Sequence, residues 1–449
     1  MKAPTRNDAP DATVAVMNTH AVSQRPVSLD LRRVAAAVRT EYGVFAVAAG
    51  VVGLHVADDS FLQPNSGVSA VDHLPGGLVL LALVAAAIAA YPRMRAGLRA
   101  LTAFVLGYLG VLGGIEAVYY GREVGLSGDD YTGLLSIPAG LVLLGLGAVT
   151  LWRSRRRDDR LWWRYSRRLL LVAAAALTLS TVAMTFTLSY AITHVARAHV
   201  PAADLGAPYE NVEFTTSDGL RLRGWYIASK NGAAVISFPG RASSQKRAKM
   251  LARHGYGVLL FDRRGEGESD GDPNIFGWQG ERDVHAAVRY LQQRHDVDPQ
   301  RIGGIGLSVG GEMMIEAAAE STALKAIVSE GGSGRSVRDI AANSEGRWQE
   351  YIGTGLATAG TALFTSNTPP EDLKGLVEKI SPRTSVFLVY GERGQTVEEP
   401  ANRGFYRVAK GLKEIWEVPG STHMGGIDAR PAAYERRVVG FFDRALLDD

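Results

Sequence analysis

Residues 298 to 319 read Asp-Pro-Gln-Arg-Ile-Gly-Gly-Ile-Gly-Leu-Ser-Val-Gly-Gly-Glu-Met-Met-Ile-Glu-Ala-Ala-Ala. Asp298 to Arg301 are turn chemistry, Ile302 to Gly306 a short apolar strand, and Gly310 to Ala319 a helix of small and apolar residues. Between strand and helix lies Gly306-Leu307-Ser308-Val309-Gly310, a Gly-x-Ser-x-Gly turn. A turn this tight forces Ser308 into a strained backbone conformation. The flanking glycines leave room for the neighbouring strand and helix, and the hydroxyl stands clear of the sheet. The five-residue pattern is common by chance in a chain with 51 glycines. The strand before it and the helix after it give it weight.

Working outward, short apolar runs alternate with helical stretches through the C-terminal half. The runs are Ala233–Phe238, Gly257–Phe261, Ile302–Ile305, Ala326–Ser329, Ser385–Tyr390 and Glu414–Val418. Helical patterns lie at Gln245–Arg253, Trp278–His295 and Gly310–Glu320. Ahead of them, Val212–Thr216 and Leu220–Tyr226 flank a Ser-Asp-Gly turn and predict a hairpin. Strand–helix alternation predicts a mostly parallel sheet with helices on both faces, its chemistry at the carboxyl ends of the strands.

The N-terminal half is of another kind. The chain has 449 residues, enough for at least two domains. Its mean hydropathy of +0.00 is high for 21% charged residues, so a very apolar part is joined to an ordinary one. Residues 1–28 are polar and predict a disordered tail. Five apolar stretches follow, at Tyr42–Val56, Leu74–Tyr91, Leu98–Tyr120, Tyr131–Trp152 and Leu169–Val195, and predict a transmembrane bundle over 29–197. Arg25, Arg32, Arg33 and Arg39 precede the first, Arg93, Arg95 and Arg99 follow the second, and eight arginines from Arg153 to Arg168 follow the fourth. The other two loops are acidic, with Asp58, Asp59 and Asp72, then Glu123, Asp129 and Asp130. This alternation places the N-terminus in the cytoplasm of a plasma-membrane protein and everything after the fifth span outside. Gly107, Gly110, Gly113 and Gly114 are expected to allow close helix packing, and Pro138 to kink the fourth span. His55, Asp58, Asp59, Asp72, His73 and Glu116 near the outer ends are read as wet interface residues.

The absence of cysteine excludes disulfides, thiolate metal sites and cysteine nucleophiles. A net charge of +3 argues against nucleic acid as a partner. No cofactor and no metal site are expected.

Four local matches make about residues 205–447, within an expected domain 205–449, resemble the α/β-hydrolase superfamily. Phe238-Pro239-Gly240-Arg241 follows the first central strand, where the family usually has His-Gly. Phe261-Asp262-Arg263-Arg264-Gly265-Glu266-Gly267-Glu268-Ser269 follows the next, and Gly420-Ser421-Thr422-His423 comes just after the last. The Ser308 turn completes the set. The resemblance implies Ser308 as nucleophile, His423 as general base, and the backbone amides of Arg241 and Val309 as oxyanion donors. It implies an acid after Ser385–Tyr390, but Gly394 stands at the family's aspartate position. Glu392 on that loop is the choice, with Glu330 and Glu398 as alternatives. Residues 331–380 form the expected cap, with Trp348, Tyr351, Leu356 and Phe364 as its apolar surface.

The expected activity is cleavage of an ester, thioester or amide, on a small-molecule or lipid acyl substrate beside the bilayer. Two rival readings stand: a non-catalytic receptor or scaffold with a hydrolase-like ligand-binding domain, and a transport role for the spans.

Overall fold

The computed structural model describes residues 40–63, 68–154, 181–197, 199–339 and 348–448. The expected tail and the first 12 of the 27 residues of the fifth span, 169–180, lie outside them. Among the described residues four helices are long and apolar enough to cross a membrane: Glu41–Leu62, Leu74–Arg93, Ala96–Glu123 and Asp130–Arg153. Of the fifth, the described part is the helix Thr181–Thr193.

The glycines of the third span do what small residues permit in an apolar medium, where association depends on close backbone approach. A Cβ on Gly107 would stand 2.8 Å from the Gly140 carbonyl of the fourth span, and one on Gly114 would stand 2.0 Å from Ile137. Ser136 donates to the Gly110 carbonyl at 2.6 Å across the same seam. Pro138 lies inside a helix that runs from Asp130 to Arg153. At one end of the bundle Glu41 meets Arg99 at 3.1 Å and the hydroxyls of Tyr91 and Thr150. The opposite end carries the acidic loops, and there the α/β domain sits, with Asp272 against His73 at 2.9 Å.

Eight strands form one sheet in the order β1-β2-β4-β3-β5-β6-β7-β8. They are β1 Glu210–Thr215, β2 Arg221–Ile227, β3 Ala234–Phe238, β4 Gly257–Phe261, β5 Ile302–Leu307, β6 Ala326–Glu330, β7 Ser385–Arg393 and β8 Lys413–Thr422. The β1–β2 hairpin is antiparallel and joins β4 antiparallel; all other pairs are parallel. The parallel strands β3 to β6 are buried on both faces, which is why they read as continuous apolar runs. Ile236, Leu259 and Ile327 face the helices Glu281–Gln292 and Val309–Glu320. Val235, Val258, Val328 and Phe387 face Gln245–Arg253 and Pro431–Phe442. The C-terminal half therefore has the fold its strand–helix pattern implies, and the helical half precedes it.

Between β6 and β7 the cap contributes the helices Trp348–Thr365 and Leu373–Lys379. The longer one packs on the bundle. Gly76 of the second span donates its amide to Ser366 at 3.1 Å, and Ser189 donates to the Ala357 carbonyl at 3.2 Å. Phe364 meets Tyr190 edge-on, ring centres 5.1 Å apart.

Candidate active site

Ser308 sits between β5 and the helix Val309–Glu320 with φ 49° and ψ −122°, a conformation costly for any residue with a side chain. What holds it there is steric closeness on every side. A Cβ on Gly306 would stand 2.3 Å from the Gly310 carbonyl, and one on Gly311 would stand 2.4 Å from Ser329 Oγ. The Ser308 amide donates to the Glu330 carbonyl of β6 at 2.7 Å. Strand, turn and helix can only meet this tightly because those positions lack a Cβ.

His423 lies just past the end of β8. Its Nε2 is 3.0 Å from Ser308 Oγ, although the two residues are 115 positions apart in the chain. Gly331, with φ +76°, lies under the ring: a Cβ there would be 2.9 Å from His423 Cε1. Arg247 anchors the same turn by donating to the Met424 carbonyl at 2.8 Å.

The acid facing His423 is Glu398, not Glu392. Glu398 Oε1 is 2.6 Å from His423 Nδ1, and its side chain is 1% exposed. The same oxygen accepts the Gln395 amide at 2.6 Å. Glu398 opens the helix Glu398–Val408, where the helix dipole favours a carboxylate. Glu392 corrects itself by register: β7 continues past Tyr390 to Arg393, so Glu392 is a strand residue. It is exposed and accepts the Gly420 amide of β8 at 2.6 Å. Glu330 is also removed as a candidate, since its carboxylate is held by Arg247 at 2.7 Å, Tyr434 at 2.5 Å and the Gly426 amide at 3.0 Å. Gly394 explains the substitution of acid. A Cβ at 394 would stand 2.5 Å from Glu398 Oε2, so the space an aspartate would use is occupied by the glutamate reaching back from the helix.

The oxyanion side also needs a correction. The Arg241 amide donates to Asp262 Oδ1 at 2.9 Å, and its guanidinium is paired with Asp262 and Glu268. Reaching an oxyanion from Arg241 requires that amide to be released from Asp262. The Val309 amide stands in the first turn of its helix, where N–H groups have no acceptor within the helix. Burial pushes the Asp262 carboxyl up against the pull of Arg241. Among the described residues no group of three or more His, Cys, Asp or Glu side chains is placed to hold a metal ion. Of the expected cap surface, Phe364 turns toward the bundle; the Trp348 side chain lies outside the described residues.

Residues 197–404 match the X-Pro dipeptidyl-peptidase (S15) family, a stretch that contains Ser308 and Glu398 and ends before His423. An uncharacterized protein, YfhR, of Escherichia coli O157:H7 is 26% identical over 248 residues, 53% of this chain and 81% of its own. The polyketide transferase grgF of a Penicillium species is 41% identical over 120 residues, 25% of this chain and 41% of its own. An esterase of Pyrococcus furiosus of known structure is 24% identical and superposes with a TM-score of 0.45, covering 56% of this chain and 99% of that one.

Proposed function

We propose that the C-terminal half of this chain is an α/β-hydrolase domain and that the protein is a membrane-anchored serine hydrolase using Ser308, His423 and Glu398. The observation that carries the proposal is the unbroken line from Glu398 Oε1 through both ring nitrogens of His423 to Ser308 Oγ, 2.6 Å and 3.0 Å. A carboxylate on Nδ1 fixes the tautomer with a lone pair on Nε2. The receptor reading leaned on Gly394 standing at the family's aspartate position, and this line supports turnover instead.

In the reaction Oγ adds to the acyl carbon while its proton passes to Nε2. The carbonyl electrons move onto oxygen, where the Val309 amide donates; one such donor contributes roughly 3–4 kcal/mol in enzymes of this kind. Collapse expels the alcohol, thiol or amine, which takes the proton from Nε2. Water, deprotonated by the same nitrogen, then attacks the acyl-enzyme. The acid leaves and Ser308 recovers its hydrogen.

The basic loops at one end of the bundle and the acidic loops beside the α/β domain support a catalytic domain on the outer face of the plasma membrane. A membrane-impermeant fluorophosphonate applied to intact cells tests chemistry and sidedness together. Labelling lost in Ser308→Ala is expected. A folded wild-type protein that ignores the probe even after lysis overturns the catalytic reading, and labelling only after lysis overturns the orientation.

A further inference from the structure

Where the second and third spans meet the cap helix, the bundle contains a cavity of ≈ 350 Å³. That is near the small end of ligand pockets, about 300–1,000 Å³, and suits one chain rather than two. Its walls along the spans are apolar, among them Leu80, Val84, Leu106 and Leu109. On the second span it extends from Gly77 to Ala87, ten residues or about 15 Å at 1.5 Å per residue. An extended chain advances ~1.2 Å per bond, so this length takes roughly a dozen bonds.

The end beside the α/β domain is polar. His55, Asp59, His73 and His194 line it, and Phe364 of the cap helix covers it. Among the described residues no lysine or arginine lines the cavity. Asp58 and Glu116 lie close by, bonded to Thr132 and Tyr190. An anionic head would therefore face carboxylates with no ammonium or guanidinium among the described lining residues to offset them, a heavy penalty in this medium. A head with hydroxyl groups suits imidazole nitrogens and a carboxylate, which accept.

This polar mouth is tied to the neighbourhood of Ser308. His73, which lines it, holds Asp272 at 2.9 Å. Five residues on, Gly277 lies so close to Val309 that a Cβ would be 2.6 Å from Val309 Cγ2. Gln279 bonds Asn367, just beyond the cap helix, at 2.5 Å. Resting on the hydrolase reading above, we propose that this cavity holds the acyl chain of an uncharged, single-chain acyl ester with a hydroxylated head, which reaches Ser308 from the bilayer. Cleavage there yields a fatty acid, whose carboxylate the acidic mouth repels.

Two measurements test this on the full chain in lipid nanodiscs. In Ser308→Ala, a monoacylglycerol carrying a photoreactive group on its chain is expected to label 74–90 and 96–123. Unlabelled monoacylglycerol should compete, and a lysophosphatidic acid should not. Labelling that no competitor reduces, or that both reduce equally, overturns the proposal. In catalytically intact protein, Leu109→Trp and Val84→Phe each narrow the cavity, and fluorophosphonate labelling of Ser308 reports that each variant folds. The ratio of kcat/KM for a dodecanoyl ester to that for a butyryl ester is expected to fall about tenfold. An unchanged ratio in labelled variants overturns the proposal. Failure of fluorophosphonate to label the unaltered chain removes the hydrolase reading instead, and the photolabelling result then stands by itself for the lipid site.

Discussion

In the α/β domain Glu330 lies against Arg247, Asp283 against Arg264, Asp262 against Arg241 and Glu316 against Arg335. At the end of the bundle beside the α/β domain, Asp58 lies instead against Thr132 and Gln63, and Glu116 against the phenol of Tyr190. Both regions withdraw carboxylates from water, and they answer the cost differently. A guanidinium pair is fixed and strongly coupled to folding; a hydroxyl partner leaves the acid able to exchange partners with a ligand. Glu398 belongs to the first region by burial and to the second by partner, since it faces an imidazole whose charge changes during the reaction.

That contrast breaks most visibly at the nucleophile. Ser308→Ala is expected to lower kcat by on the order of 10⁴-fold or more, measured with a short-chain ester, because attack has no substitute. Glu398→Gln is expected to cost about 10³–10⁴-fold in kcat with the fold intact, since an amide misorients the ring and leaves imidazolium unstabilised. A wild-type rate for that variant removes Glu398 from the triad.

Arg247→Met tests the fixed pairs. It strands Glu330 in the interior and is expected to destabilise the domain by about 3–5 kcal/mol in thermal unfolding. The Met424 carbonyl also loses its donor, so kcat should fall in protein that remains folded.

Glu281 is an exception in the α/β domain. Its Oε2 is buried without a hydrogen-bond partner, and burial together with the charge of Glu316 pushes its pKa from 4.5 up to about 7. Between those values the unfolded chain releases a proton that the folded chain keeps, so stability falls as pH rises through the window. Glu281→Gln should therefore be the more stable protein at pH 8, by roughly 1–3 kcal/mol, with the advantage gone at pH 4. The smallest effect is expected for Glu392→Gln, within about twofold in kcat, as for other surface substitutions.

The alternation of strands and helices was readable because the central strands β3 to β6 are buried on both faces and each turn has its own residue chemistry. Gln245–Arg253 matches its expected limits. The Ser308 turn was equally legible, since Gly306 and Gly310 record the crowding that demands them. Glu398 was harder. Counting along the loop leads to Gly394 and Glu392, whereas the acid comes from the next helix. The signal available was the run Val397-Glu398-Glu399-Pro400, an acidic first turn with a proline that marks a helix start. The Arg241 amide was not legible, because an amide's direction depends on what else is near it, here Asp262. The docking of the cap on the bundle had no sequence signal beyond apolar residues at its helix.

Periodicity, glycine placement and loop charge are local properties, so the order of strands and helices, the serine turn and the alternation of basic and acidic loops follow from the chain read by itself. Which carboxylate meets His423, whether Arg241 has a free amide and where Phe364 rests depend on side chains far apart in the chain competing for one volume. Packing resolves that competition only once the sheet has closed and the cap has settled on the spans.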